Sequence, residues 1–504
     1  MDEWRRTDSG VAYSFDMIRQ RTEALQAAID ARAVRQLHDI LRSGLSRSFG
    51  GIIKPELYTK AIAGTKTCIT NYVNTTSDAI SMIAQWPSTQ YKADSLSPQE
   101  KLDFLHDTRM SYGRSALVLQ GGSIFGLCHL GVVKELLRQN VLPRIIAGSA
   151  TGALMAALVG VHTDEELPAF LHGDGLNLRY FAAASMRAQQ DSLQDPPISE
   201  SLRWLSTLYR RVRRYLSSGF VLDPEVLGRT VQANIGDVTF EEAYQRTGRV
   251  LNITVTATGP GAITLLNYLT APHVLIWSAA MVSNVADPRN SPLRLMCVDI
   301  DNSIRPYSSP TTRKVRQPPK PLDQESPLNR LGELFNVNHF IVSQARPYIV
   351  PFLYPSFRTS QSSWSLTTGM WTFLFEEANF RVRQMNDMGL LSPGIKRLIM
   401  DEIVPGPSLT LVPEVTWYDW TRLLRNPTAE EINHWIRRGE RSVWPMVKQL
   451  EIRLAVEFEI DRGYQMVRRG DDVRLIEQAA EQHREQLARQ RIHRQGTQSA
   501  GNAL

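Results

Sequence analysis

The sequence predicts an α/β domain on a central, mostly parallel sheet, flanked by helical N- and C-terminal regions. Two observations carry this. From "SALVLQGG" onward, short apolar runs ending near glycine alternate with helix-patterned stretches, through "PRIIAGS" and "RVLNITVTAT" to "NHFIVSQA". That alternation marks strands joined by crossover helices. On either side of this block the apolar residues recur at helical intervals, as in "AVRQLHDILRSGL" before it and "NPTAEEINHWIRRGERSVWP" after it. The expected organisation is a helical N-terminal domain over 1–111, an α/β domain over 112–355, a helical region over 356–470 and a polar helix fading into disorder over 471–504.

Each element has a local reason. In "SLSPQEKLDFLHDTR", Ser97 is placed to cap a helix, Pro98 suits its first position and Glu100 falls three residues after the cap. Within the α/β block, helices are expected from Gly126 to Asn140 and from the turn after "PRIIAGS" through Leu158. The segment "DSLQDPPISESLRWLSTLYRRVRRYLSSG" spaces bulky and basic residues as an amphipathic helix. Such a helix either rests on lipid or, more commonly, turns an apolar stripe to a core. "SSPTTRKVRQPPKPLDQESP" reads as an exposed loop, and Thr428 as the cap of a C-terminal helix.

Composition narrows the function classes. The 504-residue chain is 42% hydrophobic and 21% charged, enough for a sizeable core. Its formal charge of +6 is too small and scattered to indicate nucleic acid, although it suits an anionic phospholipid face. Cys68, Cys128 and Cys297 lie far apart and are odd in number, which disfavours a disulfide framework or a paired-thiolate zinc site and fits a reducing, intracellular compartment. "MDEWRRTDSG" holds no secretory apolar run, and the stretch from Ile145 to Val161 is broken by turn signals, so membrane contact is expected to be peripheral.

Two glycine turns carry the chemistry. "LQGGSIFG" follows a strand and opens a helix, so its unpaired N–H groups suit a phosphate or a developing oxyanion. A dinucleotide fingerprint needs glycine where Ser123 stands, and a P-loop needs a Gly-Lys-Ser/Thr that is absent. An oxyanion loop or a plain tight turn remains. The second turn, "IIAGSATGAL", has the glycine spacing of a nucleophile elbow in Gly148 and Gly152, with Ala150 at the apex where a serine is required.

These motifs, in the order loop, helix, elbow, resemble the patatin-like phospholipases, in particular their eukaryotic intracellular triacylglycerol lipase branch with a helical domain before the catalytic one. The likeness extends over "GGIIKPELYTKAIAGTKTCITNYV", "LSPQEKLDFLHDTRMSYGRSALVLQGG", "LPRIIAGSATGALMAALV", "IGDVTFEEAYQRTGRVLNITV", "LLNYLTAPHVLIWSA" and "ELFNVNHFIVSQARPYIVPF". It implies a three-layer patatin-like sandwich and hydrolysis of neutral-lipid or phospholipid esters by a Ser-Asp dyad without a cofactor. In such a dyad the serine attacks, the aspartate takes its proton and loop N–H groups hold the oxyanion. Carried onto this chain, the oxyanion loop is Gly121, Gly122 and Ser123, Gly126 opens the helix, and the nucleophile position is Ala150.

The departures are as informative as the matches. Ser149 is a hydroxyl one residue too early, and elbow geometry is expected to turn it away from substrate. The dyad aspartate is expected near Pro319 in an Asp-Gly turn, but the stretch reads "RQPPKPLDQESPLNRLGELFNV", and its nearest acid, Asp323, is either a displaced base or a solvated carboxylate. Asp299 and Asp301 lack a third metal ligand, and hydrogen-bonded structural imidazoles are the expectation for His129 and His273. The family's Pro-Gly segment after "WSA" is replaced by "AMVSNVADPRNSP", which reads as relaxed demands around the pocket. An engineered serine-to-alanine replacement accounts for the apex alone; a natural member that has shed catalysis accounts for both losses. The resemblance therefore implies a lipid acyl-ester hydrolase with impaired catalysis, or a non-catalytic lipid-binding or regulatory protein pairing with an active paralogue. Its setting would be a lipid-droplet or membrane surface, with the loop at 121–123 and the bend at 150 facing one apolar cleft.

Overall fold

A computed structural model of the chain describes residues 2–6, 13–59, 64–87, 96–172, 175–182, 224–255, 264–285, 293–307, 326–345, 404–416, 419 and 428–470, with single positions among 377–390. The chain divides into two compact units, one comprising 1–113 with 448–504 and the other comprising 114–447.

The first unit is helical. Helices Phe15–Asp30, Val34–Arg42, Thr67–Gln85 and Pro98–Tyr112 bury Ile18, Leu25, Leu37, Ile80 and Leu105 in one core. The start of the last of these forms as its sequence dictates: Ser97 Oγ accepts from Glu100 N–H at 3.2 Å, and Ser97 N–H donates to the Glu100 carboxylate at 2.8 Å. Helical residues 448–470 complete this core through Ile452, Val456 and Ile460. Their polar side joins the same bundle, with Arg47 on Glu457 at 3.0 Å and Arg109 on Asp461 at 2.6 Å.

The second unit is built on a six-stranded sheet in the order β4-β3-β2-β1-β7-β8. Its strands are β1 (Arg114–Gln120), β2 (Ile145–Ser149), β3 (Val250–Thr254), β4 (Leu265–Leu266), β7 (Val337–Gln344) and β8 (Ser408–Leu411). Every pairing is parallel except β3 with β4. A separate hairpin is formed by β5 (Met296–Val298) and β6 (Ile304–Pro306). The central strands are apolar on both faces, as a sheet covered on both sides requires. On one face Ala116, Val118, Ile145, Ala147 and Val250 pack with Leu328, Leu331 and Phe335 of helix Pro327–Phe335. The alternate residues face the elbow helix, Thr151–Val161, where a Cβ on Gly160 would lie 2.9 Å from Leu251 and one on Gly152 2.0 Å from the Leu119 carbonyl.

The C-terminal region expected over 356–470 is not one helical body. It supplies β8 to the sheet, helix Ala429–Val443 to the second unit and the helical residues from 448 to the first. Helical periodicity alone does not report which core a helix joins. The cap expected at Thr428 is present, its hydroxyl accepting from Glu431 N–H at 3.3 Å. The basic amphipathic segment, the Pro-rich loop ending in "LDQES" and the tail after Gly470 lie outside the described residues, apart from the loop's final Ser326 and Pro327.

Helix Ala429–Val443 crosses Cys128–Arg138, the helix after the glycine loop, at an all-glycine contact. A Cβ on Gly131 would lie 1.9 Å from the Ile436 carbonyl oxygen, and one on Gly439 2.0 Å from the Cys128 oxygen. Neither neighbour is a movable side chain end. Gly439→Ala is therefore expected to lower unfolding stability by about 2–3 kcal/mol through overpacking. Urea titration of the full chain checks this, and a loss below about half a kcal/mol means that the helices do not touch there.

Candidate active site

The in-register pairing of β1 with β2 sets the site. Leu119 stands opposite Gly148 and Gln120 opposite Ser149, so the turns that follow, at Gly121–Gly122 and at Ala150, emerge side by side from the carboxyl edge of the sheet. The segments that follow these turns are in close contact, because a Cβ on Gly126 would lie 2.5 Å from Thr151 Cγ2. The expected helix from Gly126 begins instead as a 3-10 turn, Ser123–Leu127, and becomes α-helical at Cys128.

Ala150 adopts φ 55° and ψ −125°, a conformation that costs a non-glycine residue on the order of 1–3 kcal/mol. This is the strained strand-to-helix bend of a nucleophile elbow, with a methyl group at its apex. The flanking glycines are demanded by contact: a Cβ on Gly148 would lie 2.6 Å from the Gly152 carbonyl oxygen. Ser149 is the last residue of β2 and half-buried. Gly121 and Gly122 both have positive φ, 62° and 114°, and a Cβ on the latter would sit 2.6 Å from that of Ala345.

The surroundings hold these turns rigidly. Ser283 Oγ accepts from Ala150 N–H at 3.0 Å, and Asn284 Nδ2 donates to the Ala150 carbonyl at 2.9 Å. Both residues lie in the segment that replaces the family's Pro-Gly after "WSA", and through them that segment grips the elbow. Behind the glycine loop, buried Trp435 meets Phe125 edge to face at 5.2 Å between ring centres. At the far end of the elbow helix the buried Arg249 guanidinium donates to the carbonyls of Val159, at 3.2 Å, and His162, and pairs with Asp164. A cation there complements the negative end of the helix, whose positive end lies at residue 150.

His129 is fully buried beneath the glycine loop, with Nδ1 and Ser343 Oγ 2.7 Å apart. Burial pushes its pKa down to about 4, while the nearby carbonyls of Gly121 and Gln120 act weakly in the opposite direction. Neither carbonyl makes a well-aligned bond to Nε2. A second buried pair, Ser115 and His339 at 3.1 Å, lies at the opposite end of the strands. Both pairs are sealed in the core and neither hydroxyl can reach a substrate.

The remaining expectations divide. His273 is exposed and 4.0 Å from Glu241, so it is not the hydrogen-bonded structural imidazole that its apolar neighbours suggested. Asp299 and Asp301 flank the β5–β6 turn, at 2.7 Å and 3.7 Å from Arg305. No group of three or more metal-ligating side chains occurs among the described residues. Asp323 and Pro319 lie outside the described residues. Ser283, Asn284, Phe125 and Trp435 were not foreseen; the sole sequence signal was an altered segment after "WSA".

A parallel sheet with a strained elbow on one strand and a glycine loop on its neighbour defines a hydrolase-type α/β protein. Residues 117–292 match the patatin-like phospholipase family, and residues 1–110 match a domain of unknown function, DUF3336. Triacylglycerol lipase ptl1 of Schizosaccharomyces pombe is 33% identical over 470 residues, covering 91% of this chain and 79% of that protein. Triacylglycerol lipase SDP1L of Arabidopsis thaliana is 30% identical over 460 residues, 89% of this chain but only 54% of that protein, so the chain spans about half its length. Triacylglycerol lipase 3 of Saccharomyces cerevisiae is 28% identical over 559 residues, 91% of this chain and 83% of that protein. The chain belongs to the patatin-like phospholipase family, in the branch of these eukaryotic triacylglycerol lipases.

Two measurements test the site. Glycine relieves the strain at position 150 but adds freedom to the unfolded chain, so Ala150→Gly is expected to stabilise by about 1 kcal/mol in urea titration; destabilisation means that φ there is negative. For His129 the folded-state pKa of about 4 lies below the free value of 6.5, so the unfolded chain binds the extra proton between them. Its contribution is complete above pH 6.5 and falls as pH drops toward 4, by about 3 kcal/mol in all. His129→Asn should remove that part of the pH dependence, and an unchanged slope refutes the assignment.

Proposed function

We propose that this chain is a lipid-binding member of its family that has lost ester hydrolysis. The observation that carries the proposal is Ala150 at the apex of a fully formed elbow, beside Gly121 and Gly122. Covalent attack on an ester needs a side chain with a nucleophilic oxygen, sulfur or nitrogen, and a methyl group supplies none. Gly121, Gly122 and Ser123 serve as anion-holding N–H groups, and the start of the elbow helix adds positive potential. Such a site receives an ester carbonyl or a fatty-acid carboxylate and holds it without a covalent step. The names of the relatives point to triacylglycerol, with phospholipid or lysophospholipid as the related ester class.

The protein works peripherally inside the cell, at a lipid-droplet or membrane surface. No described helix is long and apolar enough to cross a membrane. A chain that binds lipid without consuming it suits regulation of an active paralogue, by competing for lipid or by pairing with it.

The test pairs turnover with binding. Purified full-length chain is expected to release no acid from triolein or p-nitrophenyl butyrate above a heat-killed control, yet to bind a fluorescent long-chain fatty acid saturably. Turnover well above the control overturns the loss of hydrolysis, and absence of saturable binding overturns the lipid-holding role. Ala150→Ser alone is expected to restore little hydrolysis without an aspartate near Pro319; full recovery would identify Asp323 or another group as a working base.

A further inference from the structure

Ala150 has no means of stabilising its own conformation. The other described non-glycine residues with positive φ are Arg32, Asn140, Asn302 and Asn336, and asparagine tolerates such angles through local hydrogen bonds. An alanine methyl makes none, so the conformation at 150 persists only if its surroundings impose it. The surroundings that grip its polar backbone atoms are two adjacent residues at the end of helix Ile276–Ser283.

We propose that Ser283 and Asn284 are positioning residues that lock residue 150 in the elbow conformation, so that the aim of the apex side chain is set by this clamp and not by residue 150. Ser283 Oγ takes the Ala150 N–H at 3.0 Å, and Asn284 Nδ2 gives to the Ala150 carbonyl at 2.9 Å. The same amide group also donates to the Ala280 carbonyl at 2.9 Å, which fixes it to its own helix end. That helix is firmly seated, with Ile276, Ala279, Ala280 and Met281 buried and Ser283 only 3% exposed. The Ala150 carbonyl also receives the first turn of the elbow helix, from Ala153 N–H at 3.0 Å. Rotating residue 150 toward negative φ would break the two clamp bonds and the first helical bond together. The clamp acts on the backbone, so it holds whatever ligand the site takes and whether or not the chain hydrolyses anything.

The test places a reporter at the apex of the full-length chain. Ala150→Cys puts a thiol at a helix N-terminus, where its pKa falls to about 7.5 or below against an ordinary value of about 8.5. Iodoacetamide labelling across pH, read peptide by peptide in a mass spectrometer, follows it while Cys68 and Cys297 serve as internal references. With the clamp intact, the labelling midpoint is expected in the lowered range. Adding Ser283→Ala with Asn284→Leu should raise it by about one unit and slow labelling at neutral pH about threefold, leaving the references unchanged. An unlowered midpoint with the clamp intact, or the same midpoint in folded variants without it, overturns the proposal. A second readout covers variants too unstable to label. Ser283→Ala should lower the urea midpoint less in the parent than in the Ala150→Gly background, because an unclamped alanine relaxes out of the strained elbow and forfeits only part of what the bond contributes, whereas glycine stays in it and loses the whole. Equal losses in the two backgrounds overturn it.

Discussion

The parallel ladder between β1 and β2 is the constraint on which the site rests. Strand side chains alternate between faces, so a slip of one residue would turn the core set of either strand to the wrong layer. With the register fixed at Leu119 against Gly148, the glycine loop and the elbow leave the sheet at the same height, and the segments that follow them are in close contact. Gly126 and Gly152 then admit no side chain, the one facing Thr151 and the other the Leu119 carbonyl. The shape of the site follows from strand pairing and close backbone approach before any polar group is considered.

The elbow of this chain has the backbone of a nucleophile elbow and a methyl group at its apex. The backbone strain and positive helix end that present a nucleophile are intact, while the oxygen that would use them is absent. The buried guanidinium of Arg249 at the other end of the elbow helix is intact as well, with burial holding its pKa below the usual arginine value and Asp164 opposing that fall. Features that favour an anion thus survive independently of the group that would generate one.

What the sequence revealed is what short-range chemistry determines. The strands at 114–120, 145–149, 250–254 and 337–344 were readable because each is a buried apolar run between turn signals, and the Ser97 cap because its partner lies three residues away. The elbow was readable from glycine spacing, since those glycines answer to contacts within the bend. The Ser283 and Asn284 grip was not, because it joins residues 133 and 134 positions apart and uses side chains common in any loop. Nor was the split of the C-terminal region: β8 is only four residues long, and the helices on either side of residue 447 share one periodicity but enter different cores. His273 sits beside buried Val274 and Leu275, yet its own side chain faces water, which an apolar neighbourhood in sequence does not reveal.

The packing of Trp435 on Phe125, and of Gly439 on the helix after the glycine loop, has a consequence for biosynthesis. The loop leaves the ribosome about 300 residues before the helix that backs it, at roughly 5–20 residues per second. For that interval Phe125 lacks its edge-to-face contact with Trp435, and the groove around Gly131 lacks the helix that crosses it. A nascent chain stalled in this window exposes apolar surface of the kind that holdase chaperones recognise, and a message truncated before codon 429 would yield a sheet whose most constrained loop never acquires its backing.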